Sequence, residues 1–253
     1  MTGYLRGAKT IGTTQADIVS EHPNEPHGGS LSQRLNALRA AVLGANDGIV
    51  STAGVVLGVA GATTDHQAIM VAGVAALVAG AVSMALGEYV SVSSQRDSER
   101  ALVEKERREL ADMPDEEFAE LVALYVSRGL TQSTATVVAR ELTDKDALRA
   151  HLDIELGIDP DEFVSPTVAA ASSAVSFVVG GLLPVAAILL APAASRVIIT
   201  YLGVLVALGI TGALGARMGG APAGRAALRV MIGGAIGLLL TYGIGMLFGT
   251  SLG

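Results

Sequence analysis

Residues 68–92 read AIMVAGVAALVAGAVSMALGEYVSV, and residues 93–110 continue as SSQRDSERALVEKERREL. The first stretch holds one charge, Glu88, and is long enough to cross a hydrocarbon layer of about 30 Å as a helix. The second is dense in charges of both signs, which lipid does not tolerate, so the chain must leave the membrane soon after Val92. Four more stretches share the apolar character: Leu38–Ala62, Val168–Leu190, Val197–Ala216 and Ala226–Phe248. A buried core helix seldom stays apolar all round for over about 20 residues, so all five are assigned as spans. The expected fold is all-α: a polytopic membrane protein with five transmembrane helices and a cytoplasmic helical insert between helices 2 and 3.

Composition agrees. The 253 residues are 51% hydrophobic and 16% charged, with a mean hydropathy of +0.52; soluble domains average about 25% charge. With no cysteine, disulfides and thiolate chemistry are excluded, so any metal must bind carboxylate, imidazole, thioether or backbone oxygen. A net charge of −7 argues against nucleic acid as a partner. Eighteen of the 24 acidic residues fall between Gln95 and Phe163, against nine Lys or Arg there. The chain therefore divides into a flexible cytoplasmic tail (1–34), helices 1 and 2 (35–92), an acidic helical metal-binding insert (93–164) and helices 3–5 (165–253). No early apolar run precedes a small-residue cleavage site, so no signal peptide is expected.

Arginines near the span ends set the orientation. Arg34 and Arg39 lie at the N-terminal flank of the first span, the turn at Gly61–Gln67 has no Lys or Arg, the third turn has only Arg196, and the fourth has Arg217, Arg225 and Arg229. This alternation places the N-terminus and insert in the cytoplasm and the C-terminus outside, in the cell membrane. Small residues four apart (Gly44/Gly48, Gly54/Gly58, Ala76/Gly80, Gly233/Gly237) let helix backbones approach, within one subunit or between two. In the insert, helices are expected over Arg96–Leu110, Asp115–Arg128, Thr131–Leu142 and Lys145–Leu156, with a break at Asp112-Met113-Pro114.

Polar groups inside the spans are the first candidates for chemistry. An Asp at the centre of a span costs roughly 3 kcal/mol on insertion scales, so Asp47 should face a partner, a cavity or an ion path. Met84 and Glu88 lie four apart on one face of the second span. Two carboxylates and a thioether on neighbouring helices suit a transition metal such as Fe²⁺ better than Ca²⁺ or Mg²⁺. In the insert, Glu106 and Glu109 lie three apart, as do Glu117 and Glu120, while His151 and Glu155 lie four apart. An antiparallel fold at Pro114 brings the four Glu together, and Glu pairs with an added His at helical spacing hold iron or manganese in carboxylate bundles. The alternative for these residues is an ordinary solvated acidic face. His22 and His27, with Glu21 and Glu25, read as part of a polar tail rather than a site. Motifs for metallohydrolase, serine-nucleophile or phosphate-loop chemistry are missing, so no enzyme is expected.

The segments Ala41-Val42-Leu43-Gly44-Ala45-Asn46-Asp47-Gly48 and Gly80-Ala81-Val82-Ser83-Met84-Ala85-Leu86-Gly87-Glu88-Tyr89 resemble the vacuolar iron transporter family, which includes bacterial members, and the resemblance runs from about Leu35 to the C-terminus. It implies a homodimeric exporter of Fe²⁺, often also Mn²⁺, that exchanges the metal for protons through a path between two subunits. The bound and carried ions aside, no cofactor is implied. Asp47 and Met84 match the family's path residues, and Glu106, Glu109, Glu117 and Glu120 match its insert ligands. On the last insert helix, where plant members carry two Met and a Glu, this chain has His151, Leu152 and Glu155. Asn36 replaces an acid near the start of the first span. Glu88 stands where plants have glycine and is the candidate to take over that acid's role. The competing readings are a membrane-anchored metal sensor or storage scaffold and, more remotely, an intramembrane enzyme.

Overall fold

The computed structural model describes residues 30–159 and 163–251, with side chains described for 37–159 and 163–249. Among the described residues, seven α-helices follow in order: α1 (Ser30–Ala62), α2 (His66–Asp112), α3 (Pro114–Ser127), α4 (Gln132–His151), α5 (Pro166–Leu190), α6 (Arg196–Met218) and α7 (Ala223–Ser251). A π-helical turn, Leu152–Leu156, extends α4. Among the described residues, five helices are long and apolar enough to cross a membrane: α1, α2, α5, α6 and α7. The expected class, an all-α polytopic membrane protein, is the observed one. His22 and His27 lie outside the described residues, and α1 begins at Ser30, so the last residues of the expected tail are helical.

Span and insert are joined more tightly than expected. The second span and the first insert helix form one helix of 47 residues, α2, about 70 Å long at 1.5 Å per residue. The reason is local. No glycine or proline lies between Gly87 and Pro114, and pairs such as Gln95–Glu99 and Lys105–Glu109, four apart, stabilise the charged stretch as helix. At the break, Pro114 starts α3 at a position where its missing N–H is harmless.

Two further insert helices are expected after Gly129, over Thr131–Leu142 and Lys145–Leu156, and α4 is indeed two helical stretches that meet at a break at Asp146. Thr131 caps α4 by accepting from the Thr134 N–H. At Asp146 the backbone turns extended (φ −166°, ψ 93°), and its carboxylate accepts from the Arg149 N–H, restarting the helix as a cap does. Gly157 then closes the segment in the left-handed region, at φ 62°. Leu121, Val122, Ala135, Ala139, Ala150 and Ile154 form a small core under this insert.

In the membrane part α1 is central and packs against α5, α7, α2 and α6. The shared core includes Ile49, Val56, Leu57, Ile69, Ile188, Val204, Leu208 and Leu238. The small-residue pairs divide by role. Gly44 and Gly48 meet the backbone of Ser173 and Phe177 on α5, and Gly54 and Gly58 meet Thr241 on α7, whereas Gly233 and Gly237 have nothing within 4 Å of where a Cβ would be. The first two pairs are thus used inside the protomer and the last points outward. A methyl group on Gly48 would overlap the Phe177 carbonyl oxygen. Gly48→Ala is therefore expected to destabilise the bundle by about 1–3 kcal/mol, the range for overpacking, read as a lowered thermal unfolding midpoint in detergent; an unchanged midpoint would show that α1 and α5 can separate freely.

Candidate functional site

Three ligand-type side chains from three elements converge in the insert. Glu106 comes from α2, Glu117 from the first turn of α3 and His151 from the end of α4, and one ligand atom from each lies within 4.8 Å of the others. That spread fits donors grouped round one cation with bonds of about 2.0–2.4 Å. All three are buried: Glu106 is 3% exposed, Glu117 6% and His151 1%. His151 Nδ1 lies 2.9 Å from Glu106 Oε1, 3.6 Å from Glu117 Oε2 and 3.8 Å from Glu155 Oε2. Although so close, Glu106 Oε1 and His151 Nδ1 are not aligned as a hydrogen bond, and both are buried without another partner. Buried polar atoms are normally satisfied; a shared cation would satisfy these. Oxygen and imidazole donors together suit Fe²⁺ and its first-row neighbours.

Electrostatics points the same way. Burial, reinforced by the carboxylates of Glu155, Glu117 and Glu109 and opposed by Lys105, raises the Glu106 pKa to about 7. Burial, followed by Glu120, raises that of Glu117 also, while His151 pulls it down. Such carboxyls are costly to ionise where they stand, and a cation between them removes that cost.

The remaining insert candidates lie round this centre. Glu155 borders it through His151, with its side chain half-buried at the edge of the centre. Glu109 is half-buried and held by Lys105 at 2.7 Å. Glu120 is exposed and outside the buried trio.

Inside the membrane part, Asp47, itself half-buried, lies on a stripe of α1 with Arg39, Leu43, Ser51 and Val55, which are exposed in the protomer, and its carboxylate accepts from the Ser51 hydroxyl. Ser51 also lines a groove of about 460 Å³ between α1 and α7 with Gly54, Val55, Gly58, Gly237 and Thr241. Asp47 thus faces the open side of α1, and its neighbour Asn46 accepts from Thr211 of α6. Met84 is half-buried, on the inward stripe of α2 that also carries Ile69, Gly73, Gly80, Glu88 and Val92. Arg39 meets Glu88, and Val56 neighbours Gly73, so α1 and α2 run antiparallel. This register puts Met84 about three residues, roughly 4.5 Å of helix rise, from the level of Asp47.

Glu88 is 9% exposed and accepts from Arg39 Nη2 at 3.0 Å. Sequence reasoning used Arg39 only to orient the chain. The available signal was its spacing, eight residues before Asp47 on one helical face. A second contact the sequence did not reveal is Arg196, buried at the start of α6, which donates to the Thr64 carbonyl in the α1–α2 turn.

The model of the VIT family matches residues 38–246. The chain is 43% identical over 235 residues to a protein of Acanthamoeba castellanii named vacuolar iron transporter, covering 91% of this chain and 87% of that one. It is 34% identical over 240 residues to vacuolar iron transporter homolog 1 of Oryza sativa subsp. japonica, covering 94% and 85%. With vacuolar iron transporter homolog 2 of Arabidopsis thaliana it shares 36% identity over 219 residues, covering 86% and 87%.

Proposed function

The chain belongs to the VIT family, and from that premise we propose that it is a transporter exporting Fe²⁺, and also Mn²⁺, from the cytosol through a path at a homodimer interface, in exchange for protons. The observation that carries this reading is the placement of Asp47. A carboxylate within a span is costly, yet this one faces the open side of α1, near the level of Met84. A second copy covering that face would turn both Asp47 side chains towards a shared path. Glu106 of the buried Glu106–Glu117–His151 centre lies on the same helix as Met84, so α2 links metal capture in the insert to the path.

Cytosolic export requires the insert to face the cytosol, as the arginine asymmetry indicates. The vectorial act is the same across the cell membrane or across a vacuolar membrane, the location in the relatives' names. Proton exchange needs an acid in the path. Asp47 and Glu88 are the acids within the spans, and Glu88 is engaged by Arg39, which favours Asp47.

Proteoliposome flux with Fe²⁺, Mn²⁺, Co²⁺ and Zn²⁺, with and without a pH gradient, tests the proposal. Fe²⁺ and Mn²⁺ should move, and faster when the destination compartment is acidic. Saturable binding without flux would favour a membrane-anchored sensor or storage scaffold, the reading that the buried insert centre alone supports. Orientation has its own test, since the chain has no cysteine. A cysteine at Ser251 should react with an impermeant maleimide from outside, and one at Ser133 should not; the reverse pattern would overturn the export direction.

A further inference from the structure

The Arg39–Glu88 ion pair bridges two helices at a particular place. Arg39 and Asp47 share one stripe of α1, eight residues or roughly 12 Å apart, and Glu88 and Met84 share one stripe of α2, four apart. The pair therefore spans from the stripe of Asp47 to the stripe of Met84, displaced from both towards the insert. A cation descending from the insert to Asp47 and Met84 meets this pair first.

The two partners differ in their need for one another. Glu88 is 9% exposed and Arg39 58%. A buried carboxylate left without a cation is strongly unfavourable, whereas a guanidinium at the mouth of a water-filled path is solvated alone and is weakly held by a single contact. The contact is one bond, Nη2 to Oε1 at 3.0 Å, rather than the two-pronged fork that makes Arg–carboxylate pairs strong. Glu88 thus needs a positive charge beside it, and the one that the described residues supply is on a long, flexible, displaceable arm.

We propose that Arg39 is a tethered counter-cation that closes the insert-side mouth of the path: it occupies Glu88 when no metal is there, and an arriving divalent cation displaces it from that carboxylate. This rests on the transport reading above and adds to it a residue that sets metal affinity. Arg39 competes with the ion, so dilute divalents are held back and monovalent ions, with half the charge to offer Glu88, displace it poorly.

The test is the concentration dependence of Mn²⁺ flux in proteoliposomes of the full chain. R39Q should lower the apparent KM for Mn²⁺ at least threefold, because Glu88 is then free for the metal, and should admit measurable K⁺. R39K keeps the charge and should restore a KM within twofold of wild type. In the E88Q background, R39Q should leave KM unmoved. Where R39Q is poorly produced, R39C can be purified and then modified. Aminoethyl methanethiosulfonate, which adds a cation, should raise KM towards wild type, and methyl methanethiosulfonate, which adds none, should not. A wild-type KM in R39Q, or equal effects of the two reagents, would overturn the proposal and reduce the pair to a strut between α1 and α2. Wild-type protein that carries no Mn²⁺ would overturn the transport reading itself, and with it the mouth that Arg39 closes.

Discussion

Asp47→Ala should abolish metal flux while leaving the protein folded, inserted and in its wild-type oligomeric state. The two halves of this expectation come from one fact, the position of a carboxylate on the open side of α1. A +2 ion about 4 Å from one carboxylate, at an effective dielectric constant near 20, gains roughly 8 kcal/mol. Losing even a third of that from a barrier slows passage about 100-fold. Stability should respond oppositely. The substitution removes an ionisable group whose insertion costs roughly 3 kcal/mol near a span centre, and gives up only the hydrogen bond from Ser51. The thermal midpoint in detergent should stay level or rise. Met84→Leu keeps the volume but removes the sulfur, so it should slow Fe²⁺ while barely moving the midpoint. Normal flux in Asp47→Ala would make Asp47 structural and misplace the path.

Much of this architecture was legible, and the illegible parts share a cause. Length and hydropathy mark the five spans because lipid demands about 20 apolar residues from each, whatever their neighbours. Pro114 marks the reversal that brings Glu106 and Glu117 together, and the position of His151 on its helix face fits its place in the same centre. What spacing alone could not do was choose between members of a pair. Residues three apart lie on one side of a helix but 60° short of a full turn apart, and a core this small admits one of each pair. Glu106 turns inward while Glu109 is held outside by Lys105; Glu117 is buried while Glu120 is exposed. The fusion of span and insert into α2 was missed because the change from apolar to charged reads as a boundary, although it changes only the solvent. The Arg39–Glu88 contact joins residues 49 apart, and only the register of α1 against α2 reveals it.

The insert centre should respond to pH in opposite senses with and without metal. Glu106 has its pKa raised from an ordinary 4.5 to about 7, by burial first and by neighbouring carboxylates next. A carboxyl whose pKa is higher folded than unfolded stabilises the fold fully below the unfolded value, and that contribution is lost as pH rises through the folded value. The full chain without metal should therefore unfold at a higher temperature near pH 5 than near pH 8. A divalent cation takes the place of the proton, so Mn²⁺ should raise the midpoint at pH 8 and do little at pH 5, with affinity falling as pH drops through 7. Glu106→Gln/Glu117→Gln keeps the shape and removes the charge. It should flatten the metal-free pH dependence and weaken saturable Mn²⁺ binding by at least the ~10–100-fold that follows loss of even an outer-shell partner. Glu120→Gln, altering an exposed group, should do far less. His151→Ala should weaken Co²⁺ more than Mn²⁺, because a nitrogen donor favours the later metal. Calorimetry at moderate salt separates these bound ions from the diffuse cloud that an acidic insert attracts, since salt screens the cloud much more than a buried ligand set. If saturable binding survives Glu106→Gln/Glu117→Gln, the three converging side chains are a packing feature, and the insert acts on metal only through its net charge.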